Sequence, residues 1–72
     1  MIKFSCTRTA VSDMYYATLV AETEDEARQM VMEEAEKRWT GAAGRPRNWS
    51  IRVLEQEAEG PARIIDCGRR DT

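Results

Sequence analysis

Hydrophobic and polar residues alternate at the start of the chain. Residues 2–7, IKFSCT, place isoleucine, phenylalanine and cysteine in one phase and lysine, serine and threonine in the other. This period of two predicts a half-buried strand over residues 2–10. Residues 14–21, MYYATLVA, predict a second strand because tyrosine, threonine, leucine and valine favour extended backbone. Residues 11–13, VSD, suit a tight turn, so the two strands are expected to form a hairpin.

The pattern then changes to a helical period. Thr23 and Glu26 have the spacing of a capping box, and the acids at 24–26 favour the positive end of a helix dipole. The sequence predicts a helix from Glu24 to about Trp39, with Gly41 as the left-handed residue after its end. At about 100° per residue, one stripe of the helix faces the sheet. Its members are Ala27, Val31, Ala35 and Trp39, with Met32 beside them.

The C-terminal half reads as two further strands. Residues 40–48, TGAAGRPRN, form a loop by composition. A third strand is predicted over 49–54, a polar turn over 55–61 and a short fourth strand over 62–67. Residues 68–72, GRRDT, are expected to be a frayed tail.

The element order ββαββ predicts one α+β domain over residues 1–72. We expect an antiparallel sheet of about four strands with the single helix packed on one face. Strand order stays open, although pairing of the first and last strands would bring Cys6 near Cys67. In a reducing compartment both thiols are expected to be buried small hydrophobes, and a disulfide is the alternative.

Composition narrows the function classes. The chain has 72 residues, 33% of them charged, and a formal net charge of −2, so it is neither a polycation nor a polyacidic tail. No apolar run approaches the length of a membrane span, and the start MIKFSCTRT lacks the apolar core of a signal peptide. We therefore expect a cytoplasmic protein without a membrane partner.

Groups suited to catalysis are scarce. The chain has no histidine, and two cysteines alone cannot complete a zinc site. Its glycines match neither a P-loop nor a dinucleotide-binding fingerprint. We expect no enzyme activity, no metal and no cofactor.

The predicted helix has an acidic outer side. Four acids lie there beside Gln29 and Lys37, and these are the candidate partner-binding residues: Asp25, Glu26, Glu33 and Glu36. Such a surface suits a basic groove on another protein, which gains association rate through electrostatic steering. The alternative is an ordinary solvated helix side.

Other surfaces offer weaker candidates. Tyr15 and Tyr16 are adjacent in a strand and must point to opposite faces, so one of them lies on the outer face of the sheet. Tyrosine and arginine are frequent interface anchors, which adds Tyr15, Tyr16 and Arg45 to the candidate partner-binding set. The outer face could also hold a second copy, making the chain a homodimeric assembly module.

Nucleic-acid binding is a further alternative. Residues 40–54 contain Arg45, Arg47 and Arg52 and no acid, so this loop could contact phosphates. Trp49 could stack on a base, but it is expected to anchor the third strand in the core. The mildly acidic chain argues against nucleic acid as the main partner.

The small size, the strand-to-helix unit LVAETEDEARQMVMEEAEKRW and the following sheet residues WSIRVLEQE resemble anti-CRISPR proteins and other host-takeover proteins of phages and mobile elements. The resemblance covers the architecture of the whole chain. It implies stoichiometric inhibition without catalysis. The protein would dock on a Cas subunit or surveillance complex and block DNA or nuclease access, with its acids occupying a basic DNA-binding surface.

Overall fold

A computed structural model describes residues 1–71, and their elements follow the predicted order ββαββ. The elements are β1 (Ile2–Thr9), β2 (Asp13–Ala21), α1 (Glu24–Arg38), a 3-10 turn (Pro46–Asn48), β3 (Ser50–Glu55) and β4 (Arg63–Asp71). The four strands form one antiparallel sheet. The predicted α+β fold is confirmed.

The sheet order, which the sequence left open, is β3-β1-β2-β4, so the first and last strands do not pair. The connection 56–62 carries the chain from the edge strand β3 to the opposite edge, and the Ala58 amide donates to the Met1 carbonyl on the way. Cys6 and Cys67 both lie opposite Ala17 and are free thiols. Two strand spacings separate their Cα atoms by roughly 9–10 Å, beyond the reach of a disulfide.

The fourth strand is longer than predicted. Residues 68–71 continue β4, with Gly68 opposite Tyr16 and Asp71 opposite Asp13. The expectation of a frayed tail is therefore wrong for residues 68–71, and Thr72 lies outside the described residues.

Aromatic contacts explain this extension of β4. The Tyr16 ring lies over Gly68, where a Cβ atom would come within 2.3 Å of the tyrosine hydroxyl oxygen. The Arg70 guanidinium lies 5.3 Å from the Tyr16 ring centroid, and that of Arg69 lies 5.8 Å from the Trp39 ring centroid. This part of β4 lacks the alternating apolar side chains that hold other strands in a sheet. Cation–π contacts and the packing of the Tyr16 ring on Gly68 stabilise it instead.

The core lies between α1 and the inner face of the sheet. Its helix side is the predicted stripe, in which Ala27, Val31 and Ala35 are fully buried and Trp39 is half-buried. The buried residues on the sheet side are Phe4, Cys6, Tyr15, Ala17, Leu19, Ala21 and Trp49. The small alanines let the helix approach the sheet closely, and the rings of Phe4, Tyr15 and Trp49 are the large buried side chains that face it.

Both ends of α1 are capped. The Thr23 hydroxyl accepts from the Glu26 amide at 3.1 Å, and the Glu26 carboxylate accepts from the Glu22 amide at 2.9 Å. The first bond confirms the Thr23 half of the predicted capping box, whereas the Glu26 carboxylate accepts from the residue before the cap and not from the amide of Thr23 itself. Gly41 has the predicted left-handed backbone, with a φ of 87°, two residues beyond the C-cap Trp39.

α1 is the single long helix among residues 1–71, and it is too short and too polar to cross a membrane.

Candidate functional site

The outer surface of α1 carries all four acids predicted to bind a partner. We call it the acidic helix surface: Asp25, Glu26, Gln29, Glu33, Glu36 and Lys37. These side chains point away from the buried stripe because their helical angles lie roughly opposite to it. Four carboxylates against one ammonium make the surface negative. The four acids nevertheless differ in what they contact.

Glu26 and Glu36 are held by the backbone. Glu26 accepts the Glu22 amide at the start of the helix. Glu36 accepts the amide of Gly41 at 2.8 Å and that of Ala43 at 3.3 Å, which fastens the loop after the helix. Amide hydrogen bonds to a carboxylate are stronger than neutral ones, so both side chains support the fold.

Asp25 and Glu33 have little part in the fold. The Asp25 side chain is fully exposed, and its carboxylate lies 3.9 Å from the nearest guanidinium nitrogen of Arg28. Glu33 is exposed and accepts only a 3.3 Å bond from the Gln29 amide group. An exposed ion pair at the distance limit contributes little to stability. These two carboxylates are therefore free to bind another molecule.

A groove lies beside these two acids, between α1 and the 3-10 turn. Its volume is about 420 Å³, and it is lined by Asp25, Arg28, Gln29, Met32, Glu33 and Pro46. Met32 and Pro46 supply apolar lining, and the two free acids are at its rim. Sequence reasoning missed this groove because the path of the loop that brings Pro46 to the helix is not encoded in any periodic pattern.

Arg28 fixes the wall of the groove. Its Nε donates to the Pro46 carbonyl at 3.1 Å, and a second nitrogen approaches the Trp49 carbonyl at 3.5 Å. A terminal nitrogen also lies 3.1 Å from the Glu24 carboxylate. One guanidinium thus ties the first turns of α1 to the loop, and this position was not singled out from the sequence.

The other end of the helix has a similar tie to the sheet. Arg38 donates to the Glu34 carboxylate at 2.7 Å and to the Cys67 carbonyl of β4 at 3.2 Å. The hydrogen bond from Arg38 lowers the pKa of Glu34 below its usual value. Because this carboxylate is charged and engaged at neutral pH, it is not a proton-transfer candidate.

The two predicted tyrosines lie on opposite sides of the sheet. Tyr15 is only 8% exposed, with its ring 5.5 Å from that of Trp39 and 5.5 Å from the Arg8 guanidinium. Tyr16 is half-buried on the outer face, on the far side of the sheet from the acidic helix surface. The structure therefore does not bring Tyr15 and Tyr16 together with the four acids.

The loop before β3 is tightly held but exposes its arginines. The Arg8 guanidinium donates to the Ala42 carbonyl at 2.6 Å, and the Trp49 indole donates to the Ala43 carbonyl at 2.8 Å. Trp49 is 3% exposed, which confirms it as a core anchor. Arg45 and Arg47 are exposed at the 3-10 turn, and Arg45 precedes the groove residue Pro46.

The thiols are poor nucleophiles. Burial raises the pKa of Cys6 to about 11 and also raises that of Cys67. Both sulfur atoms are therefore protonated at neutral pH. In the described part of the chain, no three or more cysteine, aspartate or glutamate residues are grouped so that they could hold a metal ion.

The chain matches no protein-family model, no curated protein and no solved structure.

Proposed function

We propose that this chain is a non-enzymatic inhibitory protein that binds a host protein complex through the acidic helix surface. The observation that carries the proposal is the groove beside α1. Asp25 and Glu33 line this groove and contribute little to the stability of the fold, and Met32 and Pro46 supply apolar area beside them. Exposed acids around a small apolar surface suit a partner that presents arginine or lysine side chains, whose stems pack while their charges pair.

Surfaces rich in arginine and lysine are those with which proteins hold nucleic acid. Occupying such a surface with carboxylates excludes the phosphates that normally bind there. The resemblance to anti-CRISPR proteins nominates a Cas surveillance complex or effector as the partner, with DNA or nuclease access as the blocked step. Inhibition is then stoichiometric, and its strength falls with salt because the contacts are ionic.

Two matched variants test which acids bind. Asp25→Ala with Glu33→Ala removes the two rim carboxylates, and Glu57→Ala with Glu59→Ala makes the same charge change in the exposed β3–β4 connection. The three proteins are immobilised and exposed to nuclease-treated lysate of the natural host. We expect the wild type and E57A/E59A to retain the same nucleic-acid-binding protein and D25A/E33A to lose it.

The captured partner is then purified and tested for loss of DNA or RNA binding when the chain is added at equal concentration. Inhibition by the wild type and by E57A/E59A, but not by D25A/E33A, supports the proposal. Equal retention by all three baits contradicts the role of the acidic helix surface. A partner whose nucleic-acid binding is unaffected contradicts inhibition.

A further inference from the structure

The face of the sheet opposite α1 has a different chemistry. We call it the outer sheet face; its exposed or half-buried side chains include Lys3, Ser5, Thr7, Met14, Tyr16, Thr18, Ser50, Arg52, Glu55, Arg63, Asp66 and Arg70. One end is closed, since Val20 lies in the same phase and is 1% exposed. The other end is open and rich in hydroxyl groups.

A depression of about 270 Å³ lies on this open end, across β1 and β3. Its lining is Ser5, Thr7, Ser50, Ile51 and Arg52. In the sheet register Thr7 is opposite Ser50, and Ser5 is opposite Arg52. Cross-strand neighbours have Cβ atoms about 5 Å apart, so three hydroxyls and one guanidinium converge on one small area.

These four groups have no partner within the described residues. Their side chains make none of the hydrogen bonds formed among residues 1–71, and Arg52 forms no ion pair there. Arg8, Arg28 and Arg38 behave differently, because each donates to a backbone carbonyl. Arg52 is thus a guanidinium with unused donors beside three unused hydroxyls.

We propose that this depression binds a phosphate group of a single-stranded nucleic acid. A guanidinium paired with hydroxyl donors is the set of groups that binds phosphate oxygens in proteins. Lys3 lies two residues from Ser5 on the same face, but Glu55 is its direct cross-strand partner and offsets its charge, so Arg52 is the main positive charge at the depression. Glu55 opposes Lys3 in the register, and Asp66 lies on β4, two strands beyond Ser5, so neither acid is a cross-strand neighbour of Arg52.

The shape of the surface favours single-stranded over double-stranded nucleic acid. Short serine and threonine side chains on a sheet leave a shallow surface, whereas reading a duplex groove requires a protruding helix or ribbon. The Tyr16 ring is already packed over Gly68 and against Arg70. Contacts are therefore with the backbone of the strand, and binding shows little sequence preference. This inference is independent of the acidic helix surface.

The experiment measures fluorescence anisotropy of labelled oligothymidylate and oligouridylate, each about 15 nucleotides long, over a series of salt concentrations. Arg52→Gln is compared with Lys37→Gln, which makes the same charge change on the acidic helix surface. We expect R52Q to weaken binding about tenfold and K37Q to leave it within about twofold. The slope of log affinity against log salt should fall in magnitude by about 0.7 in R52Q, as for one lost phosphate contact.

Two further variants locate the site. Ser5→Ala, Thr7→Ala and Ser50→Ala together remove the hydroxyls at constant charge, and we expect weaker binding with an unchanged salt slope. Arg45→Gln with Arg47→Gln tests the loop instead. Circular dichroism confirms that each variant is folded. The proposal is overturned if the wild type binds neither oligonucleotide at low salt, if R52Q and K37Q are equal, or if the loop variant loses more affinity than R52Q.

Discussion

The outer surface of α1 and the outer sheet face are both exposed and polar, but their side chains are used differently. On the helix, Glu26 and Glu36 bind backbone amides and only Asp25 and Glu33 are left over. On the sheet, the strands already satisfy their own backbone through the ladder. Serine and threonine side chains there are consequently free.

This difference shows that exposure and charge alone do not identify binding residues. A helix leaves unsatisfied amides at its start and unsatisfied carbonyls at its end, and nearby acids are drawn to the amides there and in the loop that follows. A carboxylate on a helix surface therefore has to be checked for a structural role before it is assigned to a partner. Here the check divides the four acids into two that bind backbone amides, Glu26 and Glu36, and two that do not, Asp25 and Glu33.

The largest expected effect is a difference in stability between variants of the two pairs of acids. Glu26→Ala with Glu36→Ala removes three hydrogen bonds to backbone amides and should lower the free energy of unfolding by about 2 kcal/mol. D25A/E33A, with the same change in charge, should lose less than about 1 kcal/mol, mainly the interaction of Asp25 with the helix dipole. Urea denaturation followed by circular dichroism measures both. Equal losses would remove the distinction between structural and free acids.

A smaller effect is expected on the outer sheet face. Gly68→Ala places a methyl group where the Tyr16 hydroxyl lies, so the ring must move off β4, at a cost of about 1 kcal/mol. In the background of Tyr16→Ala the same change should cost much less, because the clash is gone. A double-mutant cycle from urea denaturation measures this coupling. Identical costs in both backgrounds would show that Tyr16 does not pack on Gly68 in solution.

The helix-to-sheet tie at Arg38 predicts a small, pH-dependent effect. The pKa of Glu34 is lowered in the folded protein. The Glu34 carboxylate therefore contributes its full share to the free energy of unfolding above the usual glutamate pKa of about 4.3. This contribution is lost as the pH falls through the lowered pKa of the folded protein. Glu34→Gln should be slightly less stable than the wild type at pH 7, and the two curves should converge in acid. If E34Q stayed less stable than the wild type at low pH, the difference would be due to side-chain packing and not to the charge of Glu34.

The smallest expected effect concerns the reactivity of the two thiols. Raised pKa values keep Cys6 and Cys67 protonated, and Cys6 is fully buried. A thiol reagent at pH 7 should leave Cys6 unmodified in the folded protein and react with Cys67 slowly, because Cys67 is half-buried. Both should react in denaturant. A mass lower by two hydrogen atoms under non-reducing conditions would instead indicate the disulfide that the strand order forbids.

The local elements could be predicted from the sequence, and their arrangement could not. The capping box at Thr23 and the helical stripe through Val31 are local patterns, so α1 was predicted within one residue at its end. The strand order depends on which edge the connection 56–62 reaches, and no local pattern encodes that. The last four residues of β4 lack apolar alternation because Gly68, Arg69 and Arg70 are placed by contacts with distant aromatic rings.

The candidate site shows the same limit. The acidic side of the helix follows from its 3.6-residue period, and all four acids lie where that period puts them. The roles of Glu36 and Arg28 depend on the path of the loop 40–49, which folds back toward the helix. The pairing of Arg52 with Ser5 and of Ser50 with Thr7 follows from the sheet register, so it required the strand order.

The most direct test of the account is the affinity of the purified partner for three proteins measured by interferometry at fixed salt. D25A/E33A should bind at least about tenfold more weakly than the wild type, which corresponds to about 1.4 kcal/mol, and E57A/E59A should bind like the wild type. Equal affinities for all three proteins would contradict the claim that the free acids at the groove form the binding surface.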